Sequence, residues 1–177
     1  MTSCGPYTKS HDNTHMFDFV DLRPHSNPKI CVKKNSIFEY VYNNPKLQKF
    51  AKILKKANMV GQYSDKLLNI TLFVPLDSSI SEPLSFFDSI DPGMALRILA
   101  VSSLNNRIDG RLMKSSPVCN YITRDPYNSN TLYVTNISGV TELNGCIKIK
   151  EFDIKLDNGI IHLTDGLIVP TNETFIN

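Results

Sequence analysis

The chain has 177 residues, with 19 Lys and Arg against 17 Asp and Glu, leaving a net charge of +2. That near-balance argues against a nucleic-acid binder relying on bulk charge, and no apolar run reaches the roughly 18 residues that span a bilayer. With 41% apolar and 20% charged residues, the chain can bury a core of its own, and its length suits a single domain.

Residues 1–34 read as an irregular extension that carries Pro6, Pro24, Pro28 and three of the four His. Its start shows no basic stretch followed by an apolar one, so no secretory signal is visible. Within it, Phe17, Phe19 and Leu22 belong to a short apolar cluster suited to anchor a partner or to lie back on the domain. Order begins at Ser36, an N-cap with Glu39 at the capping-box spacing, which predicts a short helix over 37–42. A second helix is predicted with Asn44 as cap, Pro45 at its first position and Gly61 at its end. Leu47, Phe50, Ala51, Leu54 and Ala57 form its apolar stripe. Lys46, Lys49, Lys52, Lys55 and Lys56 read as its solvated face, since no aromatic residues interleave them.

Ile70 to Val74 is a β-rich run stopped by Pro75, and Asp77 is placed to cap the turn Ser78-Ser79-Ile80. Asp91 and Pro92 open a helix whose inner stripe is Ala95, Ile98, Leu99 and Ser102. From Ile108 onward the period changes to two. Strands are predicted at 121–123, 131–135, 146–150, 152–156, 160–164 and 166–170. Phe152, Ile154 and Leu156 should share one face, and Asp157-Asn158-Gly159 marks a tight turn. Helices first and strands later give an α+β class. Cys4, Cys31, Cys119 and Cys146 lack metal-ligand spacing and read as reduced thiols, with Cys119 and Cys146 packing from strands. Four thiols allow three pairings, among which the sequence does not choose.

Two segments carry a resemblance. Thr71-Leu72-Phe73-Val74-Pro75-Leu76-Asp77-Ser78-Ser79-Ile80 resembles the first signature of fasciclin-like domains. The run from Asn158 and Gly159 through Ile161 and His162 to Pro170 resembles the second, nearly position for position. The likeness covers roughly Ser36 to Pro170, and it identifies the chain as similar to a divergent fasciclin domain over 35–171, with a short tail at 172–177. It implies a wedge of twisted β-sheets flanked by a helical cluster, acting as a non-enzymatic adhesion or protein-interaction module. It also implies that Thr71, Phe73, Pro75, Asp77, Asn158, Gly159, Ile161, His162 and Pro170 are structural, with His162 a core histidine. The chain departs from the pattern at Val101 and Ser102, where many adhesive members carry a Tyr-His pair, and at Leu76, where Thr is usual.

Catalytic chemistry has no footprint. GxSxG, HExxH, GxGxxG and phosphate-loop patterns do not occur, and no catalytic, cofactor or metal residues are assigned. His11 and His15, four apart, lie in a stretch with no helical stripe. Asn69, Asn136 and Asn172 begin glycosylation triplets of the kind an Asn-rich chain produces by chance. The expected role is therefore a protein-protein interaction module with neither nucleic acid nor a membrane span. The 17 Asn and 17 Ile suggest an A/T-rich source. Together with the missing secretion signal and the Pro- and His-rich extension, this fits a structural component of a large assembly, such as a minor capsid or virion protein of a large DNA virus. The alternatives are a cell-surface or extracellular adhesion protein, and a carrier of a small apolar ligand.

Overall fold

Two strands with every residue buried, β1 (Ile70–Pro75) and β7 (Gly159–Thr164), pair in parallel at the centre of the protein. A strand whose two faces are both covered has no polar side to show, and this explains why both read as unbroken apolar runs. The computed structural model describes residues 33–126 and 131–170. The expectations for Cys4, His11, His15, Phe17, Phe19, Leu22, Cys31 and Asn172 fall outside these residues. The other strands are β2 (Ser103–Asn105), β3 (Val118–Ile122), β4 (Thr131–Ile137), β5 (Val140–Leu143) and β6 (Ile147–Leu156). They form one seven-stranded sheet in the order β2-β1-β7-β6-β5-β4-β3. A bridge from Leu104 to Thr123 ties the two ends of that order together.

The helices are α1 (Ile37–Asn43), α2 (Gln48–Lys56), α3 (Val60–Ser64), α4 (Phe86–Ser89), α5 (Pro92–Val101) and α6 (Gly110–Met113). Most of them pack on one side of β1 and β7, where Leu72, Val74, Ile161 and Leu163 meet Phe38, Phe50, Leu54 and Leu99 in the larger apolar cluster. A smaller cluster fills the opposite side, where Phe73 joins Met113, Leu132, Val134, Leu143 and Ile149. The protein is thus α+β, with a helical layer on one face of the central strands and the β3–β5 meander curling over the other.

Several elements differ from expectation. The second helix begins at Gln48 rather than Pro45, because Asn44 Oδ1 accepts from Lys46 N and closes a turn instead of a helix. It ends at Lys56, followed by Ala57 as C-cap and by Asn58, whose φ of 56° is left-handed, and Gly61 lies inside α3. The predicted strands 146–150 and 152–156 are one strand, β6, broken by register shifts and by Asp153 at φ 64°. That bulge rotates the chain, so Phe152 packs on the smaller cluster and Ile154 on the larger one rather than sharing a face. Residues 166–170 form no strand. Their apolar character serves burial instead, with Leu167 on the larger cluster and Ile168 in the smaller. Cys119 is half-buried on β3, but Cys146 is exposed in the turn before β6, and neither is in a disulfide.

Candidate interaction surface

The polar residues of the two signature segments are engaged by the protein's own backbone. Asp77 was expected to cap its local turn. Its carboxylate instead accepts from Gln48 N and Lys49 N, both at 2.9 Å, capping α2 from 29 residues away. The α2 N-cap residue, Leu47, provides no side-chain cap of its own. Thr71 Oγ1 accepts from Ile108 N at 2.7 Å and donates to Asn106 O at 2.9 Å, holding the segment that follows β2 against β1. Asn158, fully buried, accepts from Ile37 N and donates to Tyr63 O, both at 2.8 Å. It therefore fixes α1 and α3 to the β6–β7 turn. Gly159 is not left-handed; a Cβ there would lie 2.4 Å from Ile70 O, so close backbone approach makes the position a glycine.

His162 is fully buried opposite Phe73 in the β1–β7 ladder, between the rings of Phe73 and Phe152. Its Nε2–H donates to Ile108 O at 2.8 Å and its Nδ1 accepts from Asp153 N at 3.2 Å. That partner set assigns a neutral imidazole with the proton on Nε2. Burial holds its pKa below the usual histidine value, against smaller upward pulls from the Ile108 carbonyl and the Asp153 and Asp109 charges. Neither nitrogen is left for proton transfer or metal ligation. Among the described residues no group of three His, Cys, Asp or Glu is placed to hold a metal.

Phe73 and Ile161 lie on neighbouring strands but on opposite faces, one in each cluster. Pro75 ends β1, and Pro170 is buried. Arg107, which the sequence reading passed over, reaches Asn69 Oδ1, Leu156 O and Asp157 O at 2.6–3.0 Å. It clamps the start of β1 to the β6–β7 turn, and a lone Arg after two Asn offers no pattern that would reveal it. Asn136 donates both to Met113 O and to Ser116 O from its amide nitrogen, the atom a glycan would need. Lysines of α2 tie the helix to its own domain. Lys49 reaches Ile80 O, Lys52 pairs with Asp88 at 2.6 Å, Lys56 reaches Asp88 O, and Lys55 lies over the Tyr42 ring.

Two surfaces are left with something to offer. One is an open groove of about 1060 Å³ between the α1–α2 corner and β6–β7, with Tyr40, Leu76, Leu156 and Leu163 among its lining residues and Lys46, Lys150 and Glu151 beside them. The other is the outer face of β3–β5, where Val118 (60%), Ile122 (74%), Tyr133 (54%), Ile137 (68%) and Val140 (43%) are all exposed. An antiparallel sheet with one wet face ordinarily alternates polar residues outward; here Asn120, Thr131, Thr135 and Glu142 keep to that pattern, while these five outward positions carry large hydrophobic side chains. Val101 and Ser102, at the C-terminal end of α5, are both buried.

The fasciclin-domain family model matches residues 45–170. The chain belongs to the fasciclin family. Among solved structures it is similar to the FAS1 domain pair of the insect cell adhesion molecule Fasciclin I. The TM-score is 0.61 and the identity 17%, covering 79% of this chain and 52% of that one, so this chain spans about half of the pair. The likeness is one of fold. No match was found among curated proteins. Fasciclin domains are associated with adhesion and protein interaction, and no helix among the described residues is long and apolar enough to cross a membrane.

Proposed function

We propose that this fasciclin domain is a non-enzymatic interaction module that works as a structural component of a large multi-subunit assembly, with its N-terminal segment as a partner-binding arm. The observation that carries the reading is the division of labour among its residues. The polar groups of both signatures are bonded to backbone within the fold, while large apolar side chains are left on the outer sheet face. A surface of that kind suits contact with another protein. Phe17 and Phe19 are the arm's anchors, with Leu22 beside them, and Pro24 and Pro28 favour an extended path toward a neighbour. A virion of a large DNA virus is one setting that fits, on the grounds of composition alone.

Deleting residues 1–30 tests this. The truncated domain should keep its melting temperature and lose co-sedimentation with the native assembly. Retained co-sedimentation, or unfolding of the truncated domain, overturns the arm.

A further inference from the structure

We propose that the pocket between the start of α3 and α5 is a docking site for an acidic-aromatic segment, and that this chain supplies the occupant itself: Phe175 fills the pocket and Glu173 pairs with Arg124. The inference goes beyond the interaction reading above and uses neither the N-terminal arm nor the outer sheet face. The pocket has a volume of about 200 Å³, and its apolar wall is Met59, just before α3, with Leu96, Leu99 and Ala100 on α5. That is less than the roughly 300–1,000 Å³ of a small-molecule site, and it suits one large side chain. Helix α5 leaves Leu96 exposed here although its neighbours Ala95, Ile98 and Leu99 are buried. Arg97, Arg124 and Asp125 complete the charged part of the lining. Two guanidinium groups against one carboxylate leave it net positive.

The path of the chain selects the occupant. Ile168 and Val169 lie beside Val101 and Thr123, the residues next in sequence to Ala100 and Arg124 of the pocket. The segment that follows Pro170, Thr-Asn-Glu-Thr-Phe-Ile-Asn, therefore starts at the pocket's rim. Phe175 is six positions after Val169, a reach of up to roughly 20 Å when extended. The other end of the described chain enters beside the open groove, which Asn35 lines. Glu173 and Phe175 are two apart, so they share one side of an extended segment. Their order also matches the wall. Arg124 adjoins Thr123, at the rim, whereas Leu96 lies more than one turn of α5 away from Val101. Such a contact needs little intrinsic affinity, because a short tether supplies an effective concentration in the millimolar range.

The test is NMR relaxation of the full chain, with the melting temperature of each variant checked. The amides of Glu173 and Phe175 should be nearly as ordered as the body, with order parameters of about 0.8, where a free tail gives values below about 0.6. The Phe175 ring should show nuclear Overhauser contacts to the methyl groups of Leu96 and Met59. Phe175→Ala should release the segment to the free-tail range. Glu173→Arg should loosen it, and Glu173→Arg with Arg124→Glu should tighten it again, because reversing both charges rebuilds the pair. Leu96→Asp, at an exposed position of the wall, should release the segment with Arg124 intact, and Leu67→Asp, exposed elsewhere, should change nothing. A mobile segment in the unaltered chain, ring contacts at the groove or the outer sheet face instead, indifference to Leu96→Asp, or a reversed pair that fails to restore order overturns the proposal. The arm-dependent assembly role would stand or fall separately, on the deletion of residues 1–30.

Discussion

Acidification should destabilise this domain through a single imidazole. His162 is buried with Nδ1 facing the Asp153 N–H and Nε2–H facing the Ile108 carbonyl. A second proton would have to sit on Nδ1, where it meets a donor instead of an acceptor, between two phenyl rings and away from water. Its folded pKa is accordingly lowered, chiefly by burial, while the unfolded chain titrates near about 6.5. Because the folded value is the lower one, the unfolded state binds the proton first. The contribution is therefore complete above about pH 6.5 and is lost as pH falls below it, until the folded pKa is reached. Across that window the slope is up to about 1.4 kcal/mol per pH unit, a large part of a typical stability of about 5–15 kcal/mol. Urea denaturation at half-unit steps from about pH 7.5 to 5 reads it directly. His162→Gln supplies the control, since an amide can serve both backbone partners without titrating and the other three histidines are unchanged. Equal pH slopes in the two proteins, or stability that rises on acidification, would refute the assignment of a neutral buried imidazole.

Two further outcomes follow from the packing. Phe73→Ala removes a fully buried ring from the smaller cluster and should cost about 3–5 kcal/mol in urea denaturation; an unchanged midpoint would place Phe73 outside the core. Asp77→Ala removes the remote cap of α2 and should cost about 1–2 kcal/mol. Amide exchange should speed up first at Gln48 and Lys49, and uniform exchange along α2 would show that the cap is dispensable.

Legibility in the sequence tracked how local each cause is. The caps at Ser36 and Asp91 act within three residues, and both are where the sequence puts them. The β1 and β7 runs are apolar on both faces, and this marks central strands in any context. What escaped depends on distant partners. The start of α2 could not be placed because its cap lies on Asp77, and the 166–170 run imitates a strand because burial alone demands apolar residues there. The β6 bulge turns on Asp153, whose carboxylate accepts from Gly110 N across 43 residues. Strand β5 is a different case. It is bracketed by Ser138-Gly139 and Asn144-Gly145, all four at positive φ, so a turn signal was present and was overlooked. The outer sheet face was hidden because a period of two shows alternation but does not say which side meets water.

The parallel pairing of β1 with β7 also shapes how the protein is born. Ile70 waits for Gly159, its partner 89 positions later. At a synthesis rate of about 5–20 residues per second, a strand apolar on both faces stays without its neighbour for roughly 5–20 s. During that interval the helices can gather, but they have only one side of an incomplete sheet to gather on. Until its last strand emerges the nascent chain therefore keeps part of its apolar strand surface uncovered, and a truncation before Gly159 leaves β1 without its parallel partner.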